Sequence, residues 1–373
     1  MAMNCEKRSC FRPGELWPDN HGVHLNAHGG GILFHAGIYY WFGEHKVAGE
    51  AGNLAAVGVH VYSSGDLYNW RDEGIALAVE SDPASPIAQG CILERPKVIF
   101  NARTRQFVMW FHLEPKGAGY AGSLSGVAVA EFVTGPYRLL HSFRPNAGVW
   151  PLNVAAEAKM ELSAAQRAQL AGMDLAGGPC PYYPKHWLFR RDFTGGQMAR
   201  DMTLFVEENG TAYQVYASEA NGTLHISQLT PDYLRPAGEY VRIFPGRFHE
   251  APALMKWRGK YFLISSDCTG WAANAARIAT AENIFGPWEE LGNPCRGSGR
   301  QIASTFNSQS TFVLPVAGKK DAFIFMADRW NPENAIDGRY VWLPVEFHHG
   351  VPMFGWQEEW TLDFFRSGAV GPG

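Results

Sequence analysis

Short runs of alternating apolar and polar residues recur along the whole chain, and a turn residue precedes each run. The pattern is a turn, an aromatic residue and then alternating apolar positions, as in Gly-Ile-Tyr-Tyr-Trp-Phe-Gly at 37–43. Four further copies occupy residues 105–112, 210–217, 259–266 and 321–328. Short runs rich in β-branched and aromatic residues, entered by turns, predict β-strands.

A second strand-like run lies upstream of each copy, so the sequence predicts five hairpins of the same kind. These upstream runs are found at 31–34, 97–100, 203–206, 253–256 and 311–314. Third-strand candidates follow several hairpins, and long helical patterns are nearly absent. Five similar antiparallel units predict an all-β fold, a five-bladed β-propeller, with residues 1–373 forming a single domain.

One segment, at about 144–198, interrupts the repeats between the second and third units. It has a Pro/Gly-rich entry, a predicted helix near Ala155–Leu170 and the sequence Pro-Cys-Pro-Tyr-Tyr-Pro-Lys-His-Trp at 179–187. The segment is too short and too poor in apolar residues to hold its own core. We therefore expect an inserted loop and helix excursion on one face of the propeller.

A polar residue precedes or opens the first strand of every predicted blade. These five residues, called the mouth residues below, are His28, Glu94, Asp201, Glu250 and Gln309. Each lies 11 to 14 residues before the aromatic residue of its repeat, which indicates equivalent positions. Because the first strand of each propeller blade lines the central channel, we expect the mouth residues to converge on one polar pocket.

Three of the mouth residues are carboxylic acids, which is the chemistry that glycosidic bond cleavage needs. One acid protonates the leaving oxygen, and other groups stabilise the oxocarbenium-like centre and orient water. Repulsion between close carboxylates raises one pKa and keeps that group protonated near neutral pH. Each acid alone could instead be a solvated strand end or a structural ion pair, with Arg95 or Arg200 as partner. Both interpretations stay open for single residues, but three equivalent acids favour a site.

Composition and charge exclude several other functions. The net charge is −4 and no Lys/Arg-rich run occurs, which argues against nucleic acid as a partner. The six cysteines show no zinc-ligand spacing, and no run of about 18 apolar residues predicts a membrane span. The N-terminal residues show no hydrophobic signal segment, so we expect a cytoplasmic protein, or a secreted one if a signal was removed.

Motifs spread over nearly the whole chain outside 144–198 resemble glycoside hydrolase family 43, and within it the exo-β-1,3-galactanase-like branch. The motifs are AHGGGI (27–32), YYWFGEHK (39–46), YSSGDLYNW (62–70), LERPKVIFN (93–101), ARDMTLF (199–205), HEAPALMKWRGKYFLISS (249–266), TGWAANAAR (269–277), NSQSTFVLP (307–315), ADRW (327–330) and GRYVWLP (338–344). The resemblance implies a five-bladed propeller and inversion at the anomeric carbon.

The resemblance also implies roles for the mouth residues. Glu250 corresponds to the general acid and Asp201 to the residue that tunes its pKa. Most family members place a base Asp on the first blade, where this chain has His28. In the galactanase-like branch a Gln at the position of Gln309 is implied to hold the attacking water. Glu94 is implied to bind sugar hydroxyls or to act as the base in its place.

Further residues are candidates for substrate binding. Glu44 resembles a residue that binds sugar hydroxyls, and His28 is also predicted to bind substrate. Three aromatic residues and one arginine are candidates for the pocket wall, although each could equally belong to the core or the rim: Tyr120, Trp271, Trp330 and Arg329. No cofactor is expected. His112 and His28 could hold a structural cation such as calcium in the channel, although a lone His is more often simply hydrogen-bonded.

The leading hypothesis is an exo-acting, inverting hydrolase that releases terminal galactose from β-linked glycans of the β-1,3-galactan type. The competing activities within the same family are those of a β-D-galactofuranosidase and an α-L-arabinofuranosidase. A propeller that binds glycan without cleaving it is a third hypothesis. Three retained carboxylic acids argue against it, because a binding protein does not need an acid with a raised pKa.

Overall fold

The structure is a computed structural model that describes residues 7–171 and 187–366. Strands dominate these residues, and the helical elements are short. The α-helices are α1 (Ala164–Ala171), α2 (Leu188–Arg191) and α3 (Gly299–Ala303), and the 3₁₀ helices span Ala156–Ala158, Ala335–Asp337 and Leu362–Arg366. No helix within the described ranges has the length and apolarity to cross a membrane.

Four sheets each contain four antiparallel strands that follow one another in the chain. The first sheet has β1 (His28–His35), β2 (Ile38–His45), β3 (Gly58–Ser64) and β4 (Arg71–Ala78), and the second has β5 (Ile92–Asn101), β6 (Gln106–Glu114), β7 (Leu124–Ala130) and β8 (Arg138–Phe143). The third has β9 (Met202–Val206), β10 (Ala212–Ser218), β11 (Thr223–Leu229) and β12 (Pro236–Ile243), and the fourth has β13 (Glu250–Trp257), β14 (Lys260–Ser266), β15 (Arg277–Ala281) and β16 (Glu289–Gly292).

Two further sheets contain three strands each, which makes six in the described residues. The fifth sheet has β18 (Gln309–Pro315), β19 (Phe323–Arg329) and β20 (Arg339–Pro344), and the sixth has β17 (Cys295–Arg296), β21 (Glu346–His348) and β22 (Val351–Gly355). The all-β propeller class is therefore confirmed, but the prediction of five blades is wrong. The sixth sheet was missed because its strands are very short, and one of them pairs in parallel across a long chain separation, so no repeated hairpin marks it.

The first strands of the first five sheets lie next to each other around a central channel. The hydrophobic core fills the spaces between neighbouring sheets, and its largest aromatic cluster joins the first and fifth sheets. In this cluster the rings of Trp41 and Trp342 lie 4.8 Å apart, and those of Trp17 and Trp342 lie 4.9 Å apart. These tryptophans therefore serve packing, and their contacts hold the first and fifth sheets together.

The inserted segment leaves the propeller after β8 and returns before β9, and it packs on the third sheet. The observed helix is shorter than the predicted one, which spanned Ala155–Leu170. The helix α1 has eight residues and begins only at Ala164. Ser163 and Gln166 exchange side-chain to backbone hydrogen bonds of 3.0 and 3.3 Å, which is the capping-box arrangement that starts a helix. Residues 179–186 of the aromatic-rich sequence lie outside the described residues, and the single-domain organisation stays a prediction.

Candidate active site

A cavity of ≈ 340 Å³ opens at the end of the channel where the first strands begin. Four of the five mouth residues line it, namely Glu94, Asp201, Glu250 and Gln309. Four of the residues predicted to bind substrate line it as well, namely Glu44, Tyr120, Trp271 and Trp330. The repeat pattern therefore located one convergent site from four mouth residues whose sequence positions are up to 215 residues apart, from Glu94 to Gln309.

A local backbone distortion sets the direction of the mouth residues. In the first, second and fourth sheets a register shift follows the mouth residue directly. The next backbone position is left-handed, with φ of 60° at Gly29, 56° at Arg95 and 52° at Ala251. Bulges of this kind bend a strand and redirect its side chains. The distortion redirects the strand next to Glu94 and Glu250, whose side chains line the cavity, and next to His28, whose side chain is not among the lining residues.

The N–H group of each bulge residue is held by a carboxylate from the neighbouring sheet. The bonds run from Gly29 N to Asp328 Oδ2 at 2.6 Å, from Arg95 N to Glu44 Oε1 at 2.9 Å and from Ala251 N to Asp201 Oδ2 at 3.0 Å. Burial raises the pKa of Asp328 to about 7, although the Gly29 N–H and Arg95 act in the opposite direction. Asp328 lies in the motif ADRW (327–330), of which only Arg329 and Trp330 were predicted to be site residues.

The side chain of Arg95 lies across the channel at the base of the cavity. Its Nη2 atom is 2.9 Å from Asp201 Oδ2 of the third sheet and donates to Gln309 Oε1 at 2.6 Å. Its Nη1 atom donates to the backbone oxygen of Ser310 in the fifth sheet at 3.1 Å. Beneath it, Lys97 is buried and donates to Gly29 O at 2.9 Å. The side chains of Arg95 and Lys97 close the base of the cavity.

Glu250 is an acid of the cavity whose pKa is raised, so that it stays protonated at neutral pH. Burial and the negative charge of Asp201 raise the pKa of Glu250 to about 8, against the opposing effect of Arg95. Its Oε1 atom accepts a hydrogen bond of 2.7 Å from the side-chain amide of Asn221. A carboxylic acid that stays protonated at neutral pH is suited to protonate a leaving oxygen.

Glu94, in contrast to Glu250, is ionised, because it pairs with a cationic histidine. His112 Nδ1 lies 3.0 Å from Glu94 Oε2, and His112 Nε2 lies 3.0 Å from Glu114 Oε1. A neutral imidazole carries one N–H only, so bonds to two carboxylates require the imidazolium form. Burial alone would raise the pKa of Glu94, but the bond and charge of His112 lower it to about 2. The hydroxyl of Tyr120 also donates to Glu94 Oε1 at 2.9 Å.

Gln309 is fixed by hydrogen bonds at both ends of its amide. Its oxygen accepts from Arg95 at 2.6 Å and from Trp330 Nε1 at 3.1 Å. Its nitrogen donates to Ser266 Oγ at 2.9 Å. Because both lone pairs of the amide oxygen are engaged, one N–H remains to contact a water molecule. This arrangement is suited to positioning a water molecule and poorly suited to taking a proton from it.

Two of the predicted residues are placed away from the cavity wall. His28 is fully buried, with its ring stacked on Tyr340 at 5.2 Å. Its Nδ1 atom is 3.9 Å from Asp328. Arg329 donates to the backbone oxygens of Asn307 at 3.2 Å and Phe306 at 2.9 Å. His28 and Arg329 are therefore not among the described residues that line the cavity.

The rim of the cavity carries an aromatic pair. The side chain of Trp271 is 40% exposed, and its ring meets that of Trp330 edge to face at 6.0 Å. Trp330 also lies over the guanidinium of Arg95 at 5.4 Å. An exposed indole beside a polar pocket is a suitable platform for the apolar face of a sugar ring.

Several residues of the cavity wall were not predicted from the sequence. They are Asn53, Asn221, Cys268 and Gly270, while Arg95 and Arg200 were expected only as ion-pair partners and His112 only as a cation ligand. Asn221 had no signal in the repeat, because it lies in the turn between β10 and β11. Arg200, a candidate partner of Asp201, donates instead to Tyr120 O at 2.7 Å and Ser123 Oγ at 3.1 Å.

One group of side chains in the cavity has the spacing of metal ligands. Single ligand atoms of Glu94, His112 and Asp201 lie within 4.8 Å of one another. His112 is already bonded on both ring nitrogens, and Asp201 is paired with Arg95. The acidic cluster is therefore present, and its members have protein partners.

Comparison with known proteins agrees with the geometry of the site. The family profile described as glycosyl hydrolases family 43 matches residues 164–343. The solved structure of a family 43 β-1,3-galactosidase with galactodeoxynojirimycin has a TM-score of 0.87 and 46% identity, covering 94% of this chain and 100% of that one. No curated protein sequence matches the chain.

Two solved exo-β-1,3-galactanases are also similar to this chain. The enzyme from Phanerochaete chrysosporium, solved as a variant with β-1,3-galactotriose, has a TM-score of 0.74 and 30% identity, covering 95% of this chain and 68% of that one. The enzyme from Clostridium thermocellum has a TM-score of 0.75 and 32% identity, covering 94% of this chain and 66% of that one. The chain therefore belongs to glycoside hydrolase family 43, in its exo-β-1,3-galactanase-like branch, and is a glycoside hydrolase.

Proposed function

We propose that this glycoside hydrolase removes single galactose residues, with inversion, from the non-reducing ends of β-1,3-linked galactans. The observation that carries the proposal is the cavity itself, which holds a protonated Glu250 beside ionised partners and is closed at its base by Arg95. A pocket closed at its base accepts a chain end and excludes the middle of a polymer. The similarity to galactosidases and galactanases supports galactose as the terminal sugar.

In the proposed reaction, Glu250 transfers its proton to the glycosidic oxygen as the bond from that oxygen to C1 breaks. Asp201 pairs with Arg95, and the negative charge of Asp201 helps to keep the proton on Glu250. A water molecule attacks C1 from the opposite face of the sugar and loses one proton. The ring contacts come from Trp271 and Trp330, and Glu44 and Tyr120 face the sugar hydroxyls.

We assign the proton of the attacking water to Glu94 and the position of that water to Gln309. Glu94 is ionised and keeps free lone pairs on both oxygens, whereas the oxygen of Gln309 already accepts two bonds. The low pKa of Glu94 makes it a weak base, so positioning contributes strongly to this step.

The proposed reaction uses protein side chains and water. Calcium takes about six to eight oxygen ligands, and the group of Glu94, His112 and Asp201 does not fit it. One of the three donors is an imidazole bonded on both sides, and Arg95 lies 2.9 Å from Asp201. The proposal therefore contains no step that depends on a cation in the channel.

A panel of substrates tests the sugar specificity. We expect turnover of β-1,3-galactobiose and of β-galactopyranosides, and no turnover of β-galactofuranosides or α-arabinofuranosides. Proton NMR of the first product is expected to show α-galactose, because inversion of a β-linked substrate gives the α-anomer. First-formed β-galactose would exclude inversion, and binding of galactan without turnover of any substrate would indicate a glycan-binding protein.

The raised pKa of Glu250 predicts an alkaline limb in the pH profile. A group whose pKa is raised is protonated below that value and loses its proton above it, so the acid is available only below a pH of about 8. We expect kcat/KM on β-1,3-galactobiose, which reports the free enzyme, to fall above that pH. The matched control is a 2,4-dinitrophenyl β-galactoside, whose leaving group needs no proton. A limb of equal size with both substrates would assign it to another group.

A further inference from the structure

The general acid of the proposed reaction has one direct side-chain partner that the resemblance to the family did not indicate. Asn221 Nδ2 donates to Glu250 Oε1 at 2.7 Å, and both residues line the cavity. Asn221 is 6% exposed, and its own amide oxygen has no partner among the described residues. We propose that Asn221 is a positioning residue, which keeps the transferable proton of Glu250 on Oε2 and directs it towards the glycosidic oxygen. The inference rests on the proposed function.

The direction of the bond determines which oxygen carries the proton. A protonated carboxyl group has one O–H and one carbonyl oxygen, and the carbonyl oxygen is the better acceptor. Because the amide of Asn221 donates to Oε1, Oε1 is held as the carbonyl oxygen and the proton stays on Oε2. Without this donor the carboxyl group can rotate or place its proton on either oxygen. Fewer molecules then have the proton in line with the leaving group, which lowers the rate of bond cleavage.

The backbone that carries Asn221 has an unusual conformation. Glu219, Ala220 and Asn221 are consecutive non-glycine residues with φ of 55°, 54° and 64°. Left-handed backbone is unfavourable for each residue with a side chain, with Asn tolerating it best. A run of three persists only where the surroundings fix it, and such strain is concentrated at functional sites. The turn therefore needs an anchor, and the structure provides two.

The first anchor is a buried ion pair beneath the turn. Glu219 is fully buried and accepts two bonds from Arg242, at 2.5 and 2.8 Å. His225 Nε2 lies 2.9 Å from the same carboxylate. A two-point contact between arginine and carboxylate fixes orientation as well as distance. Glu219 thereby ties the turn to β11 and β12 of the third sheet.

The second anchor is the inserted segment. Ala220 belongs to a small hydrophobic cluster that otherwise consists of insertion residues, namely Leu162, Leu170, Leu188, Met198 and Trp187. Arg242 lies over the ring of Phe189, also from the insertion, at 4.1 Å. The insertion thus packs on the turn that presents Asn221. This contact gives the insertion a role in positioning the acid.

Substitution of Asn221 by glycine tests the inference, because glycine tolerates the left-handed backbone and removes the amide. Losing the alignment of the acid is expected to lower kcat on β-1,3-galactobiose by about 10- to 100-fold, with a smaller change in KM. With a 2,4-dinitrophenyl β-galactoside, which needs no acid, we expect a change of less than about threefold. Asn221→Asp keeps the shape of the side chain without the donor and should lower the activity in the same selective way.

Asn146→Gly is the matched control. Asn146 is also buried and left-handed, and it donates to Tyr216 and Ser227 away from the cavity. Its substitution should leave the ratio of the two activities unchanged. An equal loss on both substrates in Asn221→Gly, or no loss on either, would overturn the inference alone. A wild-type protein that cleaves neither substrate would contradict the proposed function, and the inference with it.

Discussion

Replacement of Glu250 by glutamine is expected to lower kcat on β-1,3-galactobiose by about 10²- to 10⁴-fold. The substitution keeps the shape of the side chain but removes the proton that the leaving galactose must receive. Burial and the charge of Asp201 hold this proton on Glu250 at neutral pH, so the substitution removes an acid that is available under the conditions of the assay. Initial rates at saturating substrate, measured with the wild type and Glu250→Gln, give the ratio directly.

The leaving group separates loss of the acid from loss of the fold. Activity of Glu250→Gln on a 2,4-dinitrophenyl β-galactoside should stay within about tenfold of the wild type, because this leaving group departs without a proton. Glu207→Gln is the control, since Glu207 is bonded to Lys256 at 2.7 Å and lines a separate cavity of ≈ 610 Å³. If Glu250→Gln cleaves both substrates like the wild type, then Glu250 is not the acid.

The second prediction concerns the residue that takes the proton from water. Glu94→Ala is expected to lower kcat by about 10²- to 10⁴-fold, and added azide should restore much of the lost rate. Azide is a nucleophile that needs no base, and the space left by the carboxylate admits it. Attack on a 2,4-dinitrophenyl β-galactoside would give α-galactosyl azide, which proton NMR distinguishes from free galactose.

Gln309→Ala serves as the comparison for Glu94→Ala. If Gln309 positions the water without accepting its proton, this variant should lose activity but form little galactosyl azide. The opposite pattern, with azide rescuing Gln309→Ala and leaving Glu94→Ala inactive, would transfer the role of the base to Gln309. Intact hydrolysis by Gln309→Ala together with an inactive Glu94→Ala would remove Gln309 from the mechanism.

The positions of the acids could be predicted because a propeller repeats one local pattern at each inner strand. Glu94, Asp201, Glu250 and Gln309 occupy equivalent places in such strands, and the spacing to the following aromatic residue revealed this. The sixth sheet could not be predicted in the same way. Its strands have two, three and five residues: β21 and β22 form a very short hairpin, and β17 joins that hairpin by long-range parallel pairing.

The contacts between the acids are harder to predict than their positions. Arg95 follows Glu94 in the sequence but pairs with Asp201, because the left-handed bulge redirects the chain and the guanidinium lies across the channel. Asn221 reaches Glu250 from a turn in another sheet, and no periodicity marks such a turn. His28 has the sequence position of a mouth residue, yet its ring packs on Tyr340. Tertiary contacts decide each of these cases.

The closed base of the cavity has a consequence for the order of events in each catalytic cycle. With Arg95 across the channel and Lys97 buried beneath it, the described residues leave the released galactose no exit on the far side. Product and shortened polymer then leave through the opening by which the substrate entered. The galactose at the bottom can depart only after the polymer above it has moved away. In the proposed reaction the enzyme therefore dissociates from its polymer after every cleavage, and free galactose competes with each new chain end.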